Sequence, residues 1–497
     1  MSKLSSIEPK EVFGFFENLC DIPHGSGNLQ QISDFLVSFA KERNLEVTQD
    51  KELNVIIKAP GSKGYEDKAP VILQGHMDMV AVKNDDCDID MKKDGLRVTT
   101  DGEYVWAEGT SLGGDDGIAV AYCLALLDSK DIPHPPLEVV ITTNEETGMF
   151  GAAAIDLSSL KGRQMINIDN EKEGQFITSC AGGARVYSVL DLEQEEVQGE
   201  KCRVSVKGLL GGHSGEMIKC GRGNANVILA RALQDAIFAV AGGKTDDNSF
   251  YMKGCENSDL KIISVNGGVA DNAIPSSSEA EIVVSKNCID AVKSSIAKTL
   301  LELKGELESK DDGIDISFDT LESGSFTAFT AKDSLKICRM INTEPDGVQA
   351  MSAAVPGLVE TSLNLGILKT EGKKVTIEQS VRSSVETSKK TLIHKLLTIG
   401  GMFGAEVSVS GNYPGWKYRQ HSELRDHMVL VYKKLYGKEP ELMAIHAGLE
   451  CGILSEKIDD LDCISIGPDM QDIHSAKEKL SVKSTANVWE YLKAVLA

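Results

Sequence analysis

Val12, Phe15, Phe16 and Leu19 recur at three- and four-residue spacing, which predicts a helix over Glu11 to Cys20 with one apolar face. A second helical pattern runs from about Leu29 to Arg43. The period then changes. Asn54–Lys58, Val71–Gln74, Glu138–Thr143 and Gln164–Ile168 are short β-rich runs, and an apolar stretch of helical length, Gly117–Leu127, lies between the second and third. Strands alternating with helix predict an α/β sandwich with helices outside the sheet.

The pattern shifts again after Gly183. Arg185–Leu192 and Lys201–Lys207 alternate as half-buried strands do, a helix is predicted over Asn224–Val240, and further strands at Leu260–Asn266, Ala280–Ser285 and Ser362–Lys369. Another helical segment, Ala291–Leu303, sits among them. Residues 186–400 are read as an inserted α+β domain, with Gly400-Gly401-Met402-Phe403-Gly404 as the return crossing. The first domain then comprises residues 1–185 and 401–497. Its last part carries a helix at His421–Tyr436, a strand near Cys463–Ile466 and a terminal helix from about Thr485 to Leu496. A chain of 497 residues is too long for one ordinary core, in keeping with two domains.

Charge and cysteine usage narrow the function. The 52 basic and 75 acidic residues leave a formal net charge of −23, which disfavours nucleic acid or an anionic membrane as partner. The 11 cysteines form no CxxC pair and are too sparse for a disulfide scaffold, so reduced thiols and a cytoplasmic location are expected. The first residues contain no apolar run of the signal-peptide kind, and no stretch reaches bilayer-spanning length.

Candidate chemistry collects just after the predicted strands. His76 and Asp78, in Gly75-His76-Met77-Asp78, follow Val71–Leu73, and two-residue spacing in extended chain turns both to one side. The Asp78 carboxylate is then placed to accept the second ring N–H of His76. Alone, such a pair is common on protein surfaces. Asp115 and Asp116 follow Gly113-Gly114 and open the apolar helix, a place that equally suits an N-cap. Asn144-Glu145-Glu146 directly follows Val139–Thr143, Asp169 closes Met165–Ile168, and His474 lies beyond Ile464–Ile466. Ligands in open α/β sheets gather beyond the carboxyl ends of strands. Several acids at successive strand ends repel one another and call for a cation. Two histidines with three or four carboxylates suit two Zn, Co or Mn ions better than a structural zinc, which favours thiolates. Such a pair of ions would activate a water, with a nearby Glu moving its proton.

Taken together in order, Gly75-His76-Met77-Asp78-Met79-Val80, Gly109-Thr110-Ser111-Leu112-Gly113-Gly114-Asp115-Asp116-Gly117, Asn144-Glu145-Glu146-Thr147-Gly148, Asn167-Ile168-Asp169, Gly211-Gly212-His213-Ser214-Gly215 and the His474 loop resemble the zinc-dependent M20 peptidase family. That family includes carboxypeptidases, deacylases and dipeptidases, and the resemblance, strongest to the dipeptidase branch, covers nearly the whole chain. It implies a two-metal aminopeptidase/carboxypeptidase-like catalytic domain with an inserted lid, acting on dipeptides of the Xaa-His type. It also implies His76, Asp115, Glu146, Asp169 and His474 as metal ligands with Asp115 bridging, Asp78 orienting His76, and Glu145 as general base. His213, Asn272 and Arg382 resemble the lid groups that hold substrate, and a cationic Arg suits a substrate carboxylate. From the residues alone, Asn272 equally shapes a pre-proline turn and Arg382 an exposed strand position. His446 and Glu450, in His446-Ala447-Gly448-Leu449-Glu450, are implied to lie beside the site. Many relatives carry a lysine shortly after the bridging Asp. Here Asp116-Gly117 stands there, which argues against the deacylase branches. N-acyl-amino-acid hydrolysis and an inactive peptide-binding scaffold remain the competing readings, and a homodimer is compatible with the resemblance.

Overall fold

The computed structural model describes residue 4 and residues 6–241, 245–246, 249–250 and 255–497. The chain forms two compact units, one of Met1–Cys180, Trp416–Ala444 and Leu449–Ala497, the other of Ala181–Gly415 with Ile445–Gly448.

The first unit is built on an eight-stranded sheet. In chain order its strands are β1 (Glu46–Gln49), β2 (Val55–Ala59), β3 (Val71–His76), β4 (Leu137–Thr142), β5 (Gln164–Asn167), β6 (Gln175–Cys180), β7 (Glu441–Ile445) and β8 (Asp462–Ser465). In space the order is β1-β2-β4-β3-β5-β8-β6-β7. The four central strands β4, β3, β5 and β8 run parallel, with His76 opposite Thr142 and Gln74 opposite Asn167. Parallel strands are covered on both faces, and β4 is buried at every position. Leu73, Val139, Ile141 and Ile166 pack into one core with Phe16, Val120, Leu124 and Trp489. Helix Gly114–Asp128 is apolar around its circumference and buried from Asp116 to Leu127, the pattern of a helix enclosed by its neighbours.

The second unit holds a nine-stranded sheet in which every pairing is antiparallel. Buried and exposed positions alternate along Gly182–Asp191, so one face meets the core. Helices Ala225–Val240, Ile289–Glu306, Ala331–Thr343 and Glu386–Phe403 supply that core.

Two expectations change here. The insertion read as 186–400 compares with a unit spanning 181–415. Gly400–Phe403 is not the return crossing: it finishes the helix Glu386–Phe403, with Gly404 as its left-handed C-cap at φ 74°. The chain then adds one more strand, Glu406–Tyr413, alongside Gly182–Asp191. The sequence pattern also passed over the long strand Asp315–Phe329. That strand is polar and mostly exposed, and it is held by ladder bonds to Gln194–Lys207 rather than by an apolar stripe.

Candidate metal centre

Parallel pairing brings the carboxyl ends of β3, β4 and β5 into one row, and the loops leaving them converge. His76 is the last residue of β3, Glu145 and Glu146 follow β4, Asp169 follows β5, and His474 descends from β8. Gly75 is required for this approach, because a Cβ there would meet Asp116 Oδ2 at 2.5 Å and Ala119 Cβ at 2.6 Å. The Asp115–Asp116 peptide is cis.

The Asp115 carboxylate lies between the two histidines. Oδ1 is 3.2 Å from His76 Nε2 and Oδ2 is 3.1 Å from His474 Nε2. His76 Nε2 also lies 3.6 Å from Asp169 Oδ1, and His474 Nε2 lies 3.0 Å from Glu146 Oε2. Tetrahedral zinc at 2.0–2.2 Å from N and O donors separates its ligand atoms by roughly 3.3–3.6 Å. The observed spacings fall in or just below that range. Glu146 Oε1 is buried with no hydrogen-bond partner, an acceptor whose desolvation a cation would offset. Among the described residues, three groups have the spacing for an ion: His76–Asp116–Asp169, His76–Glu145–Glu146 and Asp115–Glu146–His474. The donors are nitrogen and carboxylate oxygen with no thiolate, which fits Zn, Co or Mn.

The electrostatics reflect crowded acids. Hydrogen bonds to Asp115 and Glu146 lift His474 to a pKa of about 10. Burial alone would depress His76, yet Asp115, Asp169 and Asp78 carry it well above its usual range. Burial raises Asp169 to about 6 against the opposing pull of His76. Glu145 is driven well above the carboxylate range by burial, with Asp169, Glu450 and Glu146 adding to it.

Asp78 requires a correction. Its backbone carbonyl, not its carboxylate, accepts from His76 Nδ1 at 2.9 Å, and the carboxylate Oδ1 stands 3.6 Å away. The carboxylate instead accepts from the Glu145 backbone N–H at 3.0 Å and from Ser26 Oγ at 2.7 Å. Asp78 thus steers the His76 ring through its main chain and the Glu145 loop through its side chain.

Three buried carboxylates here escaped functional notice or had no firm role. Asp116 Oδ2 accepts the His76 backbone N–H at 3.1 Å. Glu450, fully buried, accepts from Gln74 Nε2 and Thr142 Oγ1, both at 2.6 Å, and burial lifts it to about 7. Glu478 accepts from the loop that carries Asp115. Asp116 and Glu450 had a local signal, since each lies in a run that resembles a family motif, whereas Glu478 had none.

The second unit gathers the other candidates. His213 lies in a two-stranded ribbon opposite Ala273, and Ser214 N–H donates to Asn272 O at 2.8 Å, so His213 and Asn272 are exposed neighbours across that ribbon. Arg382, by contrast, is buried on strand Lys374–Ser383, and its Nε has no partner. It stands opposite Ser362, whose Oγ pairs with His446 Nε2 at 2.7 Å. Burial, aided by the Arg382 charge, lowers His446 to about 4 and shifts His213 downward. The expectation of Arg382 as an exposed strand residue is therefore excluded.

A doubly covered α/β sheet with histidines and acids at its carboxyl edge defines a metallohydrolase type of site. The profile of peptidase family M20/M25/M40 matches residues 72–497, and the chain belongs to this family. The cytosol non-specific dipeptidase of Escherichia coli is 36% identical over 100% of this chain and 99% of its own length. The crystal structure of aminoacylhistidine dipeptidase from Vibrio alginolyticus superimposes with a TM-score of 0.92 at 35% identity, covering 100% of this chain and 98% of that one. An aminopeptidase structure from Bacillus cereus, 16% identical with a TM-score of 0.55 over 99% and 98% of the two chains, shares the fold.

Proposed function

We propose that the protein is a dinuclear metallopeptidase that hydrolyses dipeptides, Xaa-His dipeptides such as β-alanyl-histidine among them. The observation that carries this reading is Asp115, with one oxygen directed to each histidine, in a chain 36% identical over its whole length to a dipeptidase. His76 and Asp169 would hold one ion and His474 and Glu146 the other, with Asp115 supplying an oxygen to each. Zn is the expected metal, with Co or Mn as substitutes. When bound, the ions polarise the scissile carbonyl and lower the pKa of the attacking water. Glu145 takes that water's proton and delivers it to the leaving amine. Asp78 holds the Glu145 main chain in place. In the second unit His213, Asn272 and Arg382 bind substrate, with the Arg382 guanidinium matched to the substrate carboxylate. Reduced cysteines, none of them paired in a disulfide, together with the cytosolic name of the Escherichia coli relative, favour the cytoplasm. Among the described residues no helix is long and apolar enough to cross a membrane.

Assaying β-alanyl-histidine, other dipeptides and N-acyl amino acids side by side, before and after metal removal, tests the proposal. Dipeptide cleavage lost with the metal and restored by Zn, Co or Mn is expected. A marked preference for N-acyl amino acids would overturn the substrate assignment. Full activity after rigorous metal removal would overturn the mechanism.

A further inference from the structure

Glu478 lies four residues beyond His474 and is only 3% exposed. Its Oε2 accepts the backbone N–H groups of Leu112 at 2.8 Å and Gly113 at 3.1 Å. Its Oε1 accepts those of Gly114 at 2.8 Å and Asp115 at 3.3 Å. One carboxylate therefore satisfies four consecutive donors, Leu112 to Asp115, in the turn that leads into helix Gly114–Asp128, whose backbone departs from helical geometry at Asp115 and Asp116. The convergence depends on glycine. Gly113 sits at φ 69°, and a Cβ on Gly114 would come within 3.2 Å of Glu478 Oε1.

The other end of this grip is equally fixed. Glu478 N–H donates to Ser475 O at 3.2 Å, Lys477 N–H to Ser475 Oγ at 3.1 Å, and Ser475 Oγ to Asp472 O at 2.7 Å. A single tight turn thus presents His474 to the Asp115 carboxylate and Glu478 to the Asp115 main chain. Asp115 is held from behind by Glu478 while its two oxygens face His76 and His474.

We infer that Glu478 is a positioning residue for the metal centre, fixing Asp115 so that its two oxygens address two ions at once. The inference rests on the proposed reading of Asp115 as the bridge. Without the grip, Asp115 can turn toward one ion and leave the other a ligand short. A plain helix cap would stabilise the fold and leave metal binding alone.

The test titrates metal-stripped, full-length protein with Co(II), followed by calorimetry and by the visible spectrum of the bound ion. In Glu478→Gln the amide NH2 opposes donors that an oxygen had accepted. One Co(II) should bind as in the native protein and the other about 10- to 100-fold more weakly, the usual cost of losing a group that orients a ligand. Glu138→Gln is the control. Glu138 is another buried carboxylate that accepts backbone N–H groups, from Lys161 and Gly162, at the opposite edge of the same sheet. It should lower the melting temperature and leave the Co(II) isotherm unchanged. If Glu478→Gln does not fold, Glu478→Asp keeps the charge, shortens the reach and makes the same comparison. Native-like binding of both ions in the Glu478 variant, or equal weakening in both variants, overturns the inference. Fewer than two Co(II) bound by the native protein would overturn the bridge itself, a failure visible without any variant.

Discussion

The two edges of the catalytic sheet treat buried carboxylates in opposite ways. At the amino edge, Glu138 is 4% exposed and accepts N–H bonds from Lys161 at 2.9 and 3.1 Å and from Gly162 at 2.8 Å. Its charge is absorbed by the main chain, and it joins the start of β5 to β4. At the carboxyl edge, Asp115, Glu145, Glu146 and Asp169 crowd around two histidines, and Glu146 Oε1 has no partner. The acids of the carboxyl edge are partly buried where Glu138 is fully so, and satisfaction differs as well. A carboxylate whose oxygens are met by backbone donors fixes the chain around it, as Glu138 and Glu478 do, whereas acids left to one another hold their charge for a cation.

The contrast is tested most severely at Glu145. Glu145→Gln keeps the size but not the base, so kcat should fall by about 10²–10⁴-fold while metal content stays native. Metal loss from this variant, with retention in Glu146→Gln, would exchange the two roles. Next in size is Glu146→Gln, which should weaken ion binding by more than the roughly 10- to 100-fold that follows loss of an orienting group, with activity partly recovered at high metal concentration. Native metal affinity in a calorimetric titration would remove Glu146 from the ligand set.

Proton linkage is subtler. His474, with a pKa of about 10, carries a proton at pH 8 in the metal-free protein, and a metal must displace it. Metal uptake should therefore release about one proton from His474, and affinity should climb as pH rises toward 10. Calorimetry in buffers of different ionisation enthalpy measures the release; no release at pH 8 would contradict the lifted pKa. The smallest effect on function belongs to Glu138→Gln. It should cost about 1–3 kcal/mol of stability by denaturant unfolding, because backbone donors lose their acceptor. Its kcat should not move, and a large fall would erase the distinction between the two edges.

The division between what sequence and tertiary structure decide follows from range. That His76, Asp115, Glu146, Asp169 and His474 lie just beyond strands or at a helix start was legible because each sits in a short motif beside an apolar run. Their expected roles as ligands came from the resemblance of those motifs to a family and not from period or spacing. The central strands were legible for the same reason, each carrying a short apolar run. Strand Asp315–Phe329 was not, since its polar pattern is rescued by pairing with residues more than a hundred positions away. Arg382 shows the same limit, because its burial depends on neighbouring strands and not on its own segment. Only the folded chain could show that the Asp78 main chain, rather than its carboxylate, holds His76. Only it could show that Glu478, 363 residues from Asp115, accepts that residue's N–H. A residue's chemical type and local spacing are written in the sequence. Which donor meets which acceptor is fixed by long-range packing, because an acid's role depends on the partners that surround it once water is excluded.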